Sequence, residues 1–316
     1  MKALVTGAAG FIGSHLSEHL VQAGHTVVGI DVFTDYYPRS RKEQNLATLR
    51  DTDRFTLVET SLAEADWPRL LDGVTWVFHL AAQAGVRKSW GRDFHVYTVN
   101  NVEGTQTLLE ACKGRSIDRV VYASSSSVYG DDVPLPMRED ALPQPVSPYG
   151  VTKLSAEQLC HLYYANYRVP TVSVRYFTVY GPRQRPDMGF HKFFHAAMRN
   201  EPVSVFGDGR QTRDFTFVSD AVAATISAST RGTPGGVYNI GGGSRVELLD
   251  IFELIGRITG RPLRLNMMEP QAGDMRDTYA DTARARAELA FAPAVTLEQG
   301  LRAQFQWMTE AGLFNT

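Results

Sequence analysis

Three glycines near the amino terminus decide most of what this chain can become. Lys2–Thr6 (KALVT) is a short apolar run that leads straight into Gly7-Ala-Ala-Gly10-Phe11-Ile12-Gly13. A helical pattern follows, with Ile12, Leu16 and Leu20 recurring four residues apart. Glycines at a strand-to-helix turn allow a tight bend and let a pyrophosphate approach the backbone amides at the helix amino terminus. The spacing here is G-x-x-G-x-x-G, one residue away from the commoner G-x-G-x-x-G, so the surroundings must carry part of the argument. Asp31 closes the next β-rich run, where a carboxylate can accept hydrogen bonds from an adenosine ribose. No Arg stands at positions 32 or 33 to receive a 2′-phosphate, which favours NAD over NADP.

The rest of the chain keeps the same rhythm. Strand-like runs recur at 54–59, 74–82, 119–125 and 171–177. Helical patterns carried by Val102, Thr105, Leu109 and Cys112, and by Val151, Leu154 and Leu162, lie between the last three. Such alternation predicts an α/β fold, a Rossmann-type doubly wound parallel sheet. After residue 178 the rhythm breaks into a Pro- and Arg-rich stretch, a helix at 190–200, a loop at 207–215 and amphipathic helices at 247–260 and 296–308. Residues 237–240 read as one more strand. The expected division is therefore 1–177 as the NAD-binding domain, with 214–243 returning to it, and 178–213 plus 244–316 as a smaller interleaved α/β lobe for the substrate.

Composition narrows the partners. A net charge of −2 offers no bulk attraction for a nucleic acid polymer or an anionic membrane. No window approaches the roughly 18 consecutive apolar residues of a spanning helix. The amino terminus shows no signal-peptide pattern, so a cytoplasmic location is expected. Cys112 and Cys160 read as small, buried, reduced hydrophobes.

Two histidine pairs invite a metal reading. His15-Leu-Ser-Glu18-His19 matches an H-x-x-E-H pattern, and His191 and His195 share its one-turn spacing. The first pair lies on the helix that opens at the glycine turn, and no third ligand stands near it in sequence. Both pairs are expected to be solvated surface histidines, and no metal is expected. A stronger constellation begins at Ser147, a plausible N-cap followed by Pro148 in the first turn. Tyr149 and Lys153 then share one helix face. A cation beside a phenol stabilises the phenolate and is expected to pull the Tyr149 pKa towards neutrality, where it serves as a general base. Ser125 adds a hydroxyl at the carboxyl edge of a strand, where α/β sheets bind ligands.

With these motifs in place, the chain resembles the extended short-chain dehydrogenase/reductase family, and within it the nucleotide-sugar epimerases. The resemblance runs through GAAGFIG, Asp31, HLAAQAGV, Ser125 in SSSVYG, the Tyr149/Lys153 pair, RYFTVYGPRQRPDM and GDGRQTRDF. It implies that Ser125 and Tyr149 handle the proton of a sugar hydroxyl, while Lys153 holds the nicotinamide ribose and tunes Tyr149. It implies a tightly bound NAD, regenerated each turnover, bordered by the glycine turn, Asp31, Leu62, Leu80, Ala81, Ala82, Asn100 and Tyr176. Arg213 and Asp274 would hold the diphosphate and ribose of the nucleotide, with Arg87, Arg183 and Arg185 on the substrate side. Paired helices at 102–112 and 151–163 imply a homodimer.

The resemblance also bears on the reaction. Relatives that dehydrate follow the catalytic hydroxyl with Asp-Glu, and decarboxylases with Ser-Glu, whereas Ser126-Ser127 carries no titratable group. That pattern implies 4-epimerisation of a UDP-sugar. GVRKSW and TVYGPRQRPDM resemble the UDP-glucuronate 4-epimerases, with Ser126, Ser127 and Thr178 expected to hold the carboxylate. Decarboxylation of UDP-glucuronate, epimerisation of a neutral UDP-hexose, and a non-catalytic NAD sensor on the same fold stay open at this point.

Overall fold

The computed structural model describes residues 1–314. In chain order the first half runs β1 (Lys2–Thr6), α1 (Phe11–Gln22), β2 (Thr26–Asp31), α2 (Arg39–Asn45), β3 (Phe55–Glu59), α3 (Trp67–Leu70), β4 (Trp76–His79), α4 (Phe94–Tyr97), α5 (Gly104–Cys112), β5 (Arg119–Ser125), α6 (Pro148–Tyr167) and β6 (Thr171–Tyr176). The second half continues with β7 (Val179–Tyr180), α7 (Gly189–Arg199), β8 (Pro202–Phe206), β9 (Thr212–Asp214), β10 (Thr216–Phe217), α8 (Val218–Arg231), β11 (Val237–Ile240), β12 (Arg245–Glu247), α9 (Leu248–Thr259), β13 (Arg264–Met268), α10 (Ala283–Leu289) and α11 (Leu297–Glu310).

Seven strands form one parallel sheet in the order β11-β6-β5-β4-β1-β2-β3. The central strand reads apolar along its length because both faces are covered: Ala3, Leu4 and Val5 have no solvent exposure. One face packs Leu16 and Leu20 of α1 with Val218, Ala221 and Val222 of α8. The other packs Leu70 of α3, Leu108 and Leu109 of α5, and Cys160 of α6. Chain order reverses between β1 and β4, and a crevice opens there at the carboxyl ends of the strands.

Segment 214–243 supplies α8 and β11, and β11 pairs with β6 at the sheet edge. The remaining strands form three two-stranded sheets: β7 with β10, β9 with β12, and β8 with β13. A separate apolar cluster of Phe190, Phe194, Ile251, Ile255, Leu301 and Met308 joins α7, α9 and α11. The helices expected from amphipathic spacing at 190–200, 247–260 and 296–308 appear as α7, α9 and α11. The expected loop at 207–215 is partly strand, since Thr212–Asp214 pairs with β12.

Two expectations are corrected. The strand expected at 74–82 spans only Trp76–His79. Leu80 N still donates to the Thr6 carbonyl at 3.2 Å, but the next amide, Ala81 N, donates to the Thr6 side chain at Oγ1 (3.1 Å), which also pairs with His79 Nδ1 at 2.7 Å. Residues 80–82 therefore leave the sheet and enter the crevice. The histidine pairs are not uniformly solvated either. His191 is buried and stacks on His195 with ring centroids 4.8 Å apart. His15 is half-buried, 3.0 Å from the Pro182 carbonyl. Desolvation pushes both His15 and His191 down to about 4. Both cysteines are free and buried. Among the described residues, no group of three His, Cys, Asp or Glu side chains is placed to hold a metal, and no helix is long and apolar enough to cross a membrane.

Candidate active site

The glycine turn is built by close backbone contact. Gly7 has φ +70°, and its amide donates to the Ile30 carbonyl at 2.7 Å, which hooks the turn onto β2. A β-carbon on Gly7 would lie 2.9 Å from Ala81 N, and one on Gly13 only 2.1 Å from the Gly7 oxygen. The helix α1 starts at Phe11 with Gly10 at its N-cap, so its free amides face the crevice. Asp31, at the end of β2, is buried and accepts from Ala9 N at 3.1 Å, Phe33 N at 2.9 Å and Lys42 Nζ at 2.7 Å.

These elements enclose a cavity of about 230 Å³. Its walls include the whole expected cofactor set: Gly7, Gly10, Phe11, Ile12, Gly13 and Asp31 at one end, then Leu62, Leu80, Ala81, Ala82 and Asn100, and finally Tyr149, Lys153 and Tyr176. Asn100 belongs to a π-helical turn, Thr98–Glu103, of the kind that recurs at functional sites. In the same turn, buried Asn101 receives the Gln83 amide at 2.7 Å and donates to the Gln83 carbonyl at 3.0 Å, which fixes the loop after β4.

Sequence reasoning missed several wall residues. Lys42 forms a buried ion pair with Asp31 and reaches it from α2, where Arg39 and Arg41 offered equally good candidates in sequence. Tyr36, Tyr37 and Gln83 also line the cavity. The one available signal was that a buried carboxylate needs a cationic or amide partner.

At the reaction end, Ser147 caps α6 by accepting from Gly150 N at 3.1 Å, with Pro148 in the first turn. Lys153 is 3% exposed, and its Nζ lies 4.5 Å from the centroid of the Tyr122 ring. Desolvation lowers its pKa to about 7. The Tyr149 phenol behaves differently from expectation: its pKa is raised by desolvation, opposed by a hydrogen bond from Ser125 and by the charge of Arg185. Burial of the phenolate outweighs the stabilising groups present in the protein itself. Tyr176, hydrogen-bonded to Thr225, is pushed up to about 12 by desolvation.

The expected substrate residues divide. Arg185 lines the cavity and makes a two-pronged ion pair with Asp187, at 2.9 and 3.0 Å. Arg87, Ser125, Ser126, Ser127, Thr178, Arg213 and Asp274 lie outside the cavity walls, with Ser125 directly after the wall residues Ala123 and Ser124. Arg87 and Asp274 pair with each other at 2.6 Å, and the Arg87 guanidinium covers the Phe206 ring at 4.2 Å. Arg213 donates to the carbonyls of Thr212, Met275 and Arg276. Ser127 N donates to the Ser125 hydroxyl oxygen at 3.1 Å. Arg183 lies outside the cavity walls, its guanidinium taken up by Glu18 at 2.7 Å and Ser14 at 3.2 Å on α1.

Residues 3–241 match the NAD dependent epimerase/dehydratase family. The chain belongs to that family. A UDP-glucose epimerase of Bacillus subtilis (strain 168), described as uncharacterized, is 45% identical over 313 residues, covering 98% of each chain. A UDP-glucuronate 4-epimerase of Thermodesulfobacterium geofontis is 35% identical over 312 residues, covering 97% of this chain and 96% of its own. A crystal structure of a UDP-glucuronic acid 4-epimerase from Bacillus cereus, in complex with UDP-glucuronic acid and NAD, matches with a TM-score of 0.96 and 44% identity, over 98% of this chain and all of that one.

The epimerase/dehydratase family is NAD-dependent, and this chain's cavity fits NAD. A glycine cradle that any β-carbon would fill faces the start of α1, and the buried carboxylate of Asp31 stands beside it at the same end of the cavity. The seven-stranded parallel sheet is the Rossmann-type sheet that the sequence predicts.

Proposed function

We propose that this protein is an NAD-dependent UDP-sugar 4-epimerase that interconverts UDP-glucuronate and UDP-galacturonate. One observation carries the reading: Tyr149, Lys153 and Arg185 stand in the wall of a single dinucleotide cavity, beside a strand end that continues into three consecutive hydroxyls, Ser125 to Ser127.

Inversion at C4 needs a proton taken from the 4-hydroxyl and later returned, a sugar free to turn between the two events, and a carboxylate that stays in place. NAD, when bound, supplies the acceptor and donor of a hydride in a cycle that is redox-neutral overall. Tyr149 takes the hydroxyl proton, and the Ser125 hydroxyl, which lowers the Tyr149 pKa against the larger effect of burial, steadies the phenolate. The positive charge of Arg185 favours the same phenolate. Lys153, held buried one turn further along α6, offers three donors to a ribose. The 4-keto sugar formed from a uronate is a β-keto acid and loses CO₂ when its C5–carboxylate bond aligns with the carbonyl π system. Ser126, Ser127 and Thr178 would hold the carboxylate out of that alignment.

The test is to incubate the purified protein with UDP-glucuronate, without added NAD, and identify the product by NMR. UDP-galacturonate is the expected product; UDP-xylose or no turnover refutes the reading. Thr178→Val and Ser127→Ala are expected to slow epimerisation and release CO₂, and unchanged turnover with unchanged CO₂ release refutes their role. The 45% identity to the Bacillus subtilis UDP-glucose epimerase favours a second reading, a neutral UDP-hexose as substrate. UDP-glucose in the same assay tests it.

Val151 and Leu162, about three turns apart on one face of α6, are exposed, which suits pairing of this helix with its copy in a homodimer. A cytoplasmic setting suits the two free, buried cysteines.

A further inference from the structure

Below Lys153 on α6 stands a buried charge that the reaction itself does not use. Glu157 lies one helical turn beyond Lys153 and two beyond Tyr149, on the same face. It is 3% exposed, as is its partner Arg175. Glu157 Oε1 accepts from Arg175 Nη2 at 2.6 Å, and Oε2 accepts from Arg175 Nε at 3.0 Å. Oε2 also accepts from Ser124 Oγ at 2.6 Å.

The two donors are not arbitrary. Ser124 and Arg175 are register partners on the adjacent strands β5 and β6. Each comes immediately before a residue of the reaction centre, Ser125 on β5 and Tyr176 on β6. One carboxylate therefore ties the helix bearing Tyr149 and Lys153 to the two strand ends bearing Ser125 and Tyr176. Arg175 is fixed in turn, with its guanidinium 4.6 Å from the Tyr129 ring centroid. Tyr129 donates to Asn239 Oδ1 on β11 at 2.7 Å.

A buried ion pair is a poor device for stability alone, since well-packed apolar residues of similar volume often serve as well or better. It differs from an apolar contact in fixing distances and angles. We propose that Glu157 is a positioning residue: through Ser124 and Arg175 it sets the placement of Ser125 and Tyr176 relative to Tyr149. The proposal rests on the assignment of Tyr149 and Ser125 to proton transfer. Proton transfer between positioned groups is steeply sensitive to placement, with a shift of about 1 Å costing up to ~100-fold in rate.

Ser124→Ala is the decisive variant, because it removes one tie and leaves the Glu157–Arg175 charges paired. The measurements are kcat and KM for UDP-glucuronate, NAD content after acid release, and melting temperature. Ser124 also lines the cofactor cavity, so NAD content is the control: a positioning role lowers kcat about tenfold while KM, NAD content and melting temperature stay near wild type, and a fall in kcat matched by loss of bound NAD overturns the proposal. Glu157→Gln, which also leaves Arg175 without its counter-charge, lowers both kcat and melting temperature. A lower melting temperature with unchanged kcat in both variants means the group is structural only and overturns the proposal. If Glu157→Gln does not fold, Ser124→Ala decides alone, and unchanged kcat there overturns it. Tyr149→Phe separates the two levels. Wild-type turnover in Tyr149→Phe overturns the proton-transfer assignment and this proposal with it, whereas an inactive Tyr149→Phe beside a fully active Ser124→Ala overturns the positioning role alone.

Discussion

Replacing Gly13 with Ala should empty the protein of NAD before it unfolds the protein. The added methyl would lie 2.1 Å from the Gly7 carbonyl oxygen and 2.9 Å from its carbon, both backbone atoms. Gly7 cannot retreat, because its amide is bonded to Ile30 and its own α-carbon faces Ala81 N. Relief must come from α1, whose first turn has to move by about 1 Å to restore an ordinary contact. Overpacking of this kind costs about 1–3 kcal/mol. Spread over the unfolding entropy of a 316-residue chain, roughly 0.7 kcal/mol/K, that is a drop of about 2–5 °C in melting temperature. The effect on the cofactor is larger in consequence. A displacement of about 1 Å takes an amide–phosphate hydrogen bond beyond its useful length, and each charge-assisted bond lost weakens NAD binding by about 10- to 100-fold. Acid release and chromatography of bound NAD from purified variants, with titration calorimetry on stripped protein, measures this. Gly10→Ala, whose methyl would meet the Gly7 oxygen at 3.0 Å, should fall between Gly13→Ala and wild type. Gly24→Ala, with φ +86° but no atom within 4 Å of the added carbon, should lose stability and keep its NAD. Full NAD occupancy in Gly13→Ala, or equal loss in Gly24→Ala, would refute the steric argument.

Two further outcomes follow from the same structure. In cofactor-free protein the Lys153 pKa is about 7, against 10.5 when unfolded, so the unfolded state binds the extra proton between those values. Wild-type stability therefore rises with pH across that window, by up to about 1.4 kcal/mol per unit. Lys153→Met lacks the effect: in urea unfolding it should be the more stable protein at pH 7, with the difference shrinking towards pH 9, and a constant difference contradicts the shift. Leu162→Glu places a charge on the α6 face that exposes Val151 and Leu162 and should convert a dimer to a monomer in sedimentation. A wild type that sediments as a monomer removes the basis for that expectation.

The parts of the site that the sequence made legible are those in which function is local. The glycine turn and the Tyr149–Lys153 spacing depend on residues within a few positions of one another, and their helix or strand context comes from periodicity. What stayed hidden was set by neighbours distant in the chain. The end of β4 depends on the hydroxyl of Thr6. Asp31 finds its cation in Lys42, one of three basic residues in four positions. The arginines of the substrate segments give no sign in sequence of their partners, and Arg87, Arg183 and Arg185 each face a carboxylate, Asp274, Glu18 and Asp187. The Tyr149 pKa was misjudged for a related reason. Sequence shows that a cation is one turn away, but not that the phenol is buried deeply enough to outweigh the Ser125 hydroxyl and the Arg185 charge that favour its phenolate.

The placement of β11 has a consequence for how such a protein is made. Its partner β6 ends at residue 176, but β11 is synthesised only after more than fifty further residues, including β7, α7 and β8, have been added. Until then β6 presents an unpaired edge in which Val172 and Val174 are wholly apolar and, in the finished protein, fully buried. An edge of that kind is a template for pairing with another chain. A fragment ending at residue 177 would keep the glycine turn and the Tyr149–Lys153 pair, yet emerge from the ribosome as an open, self-associating sheet.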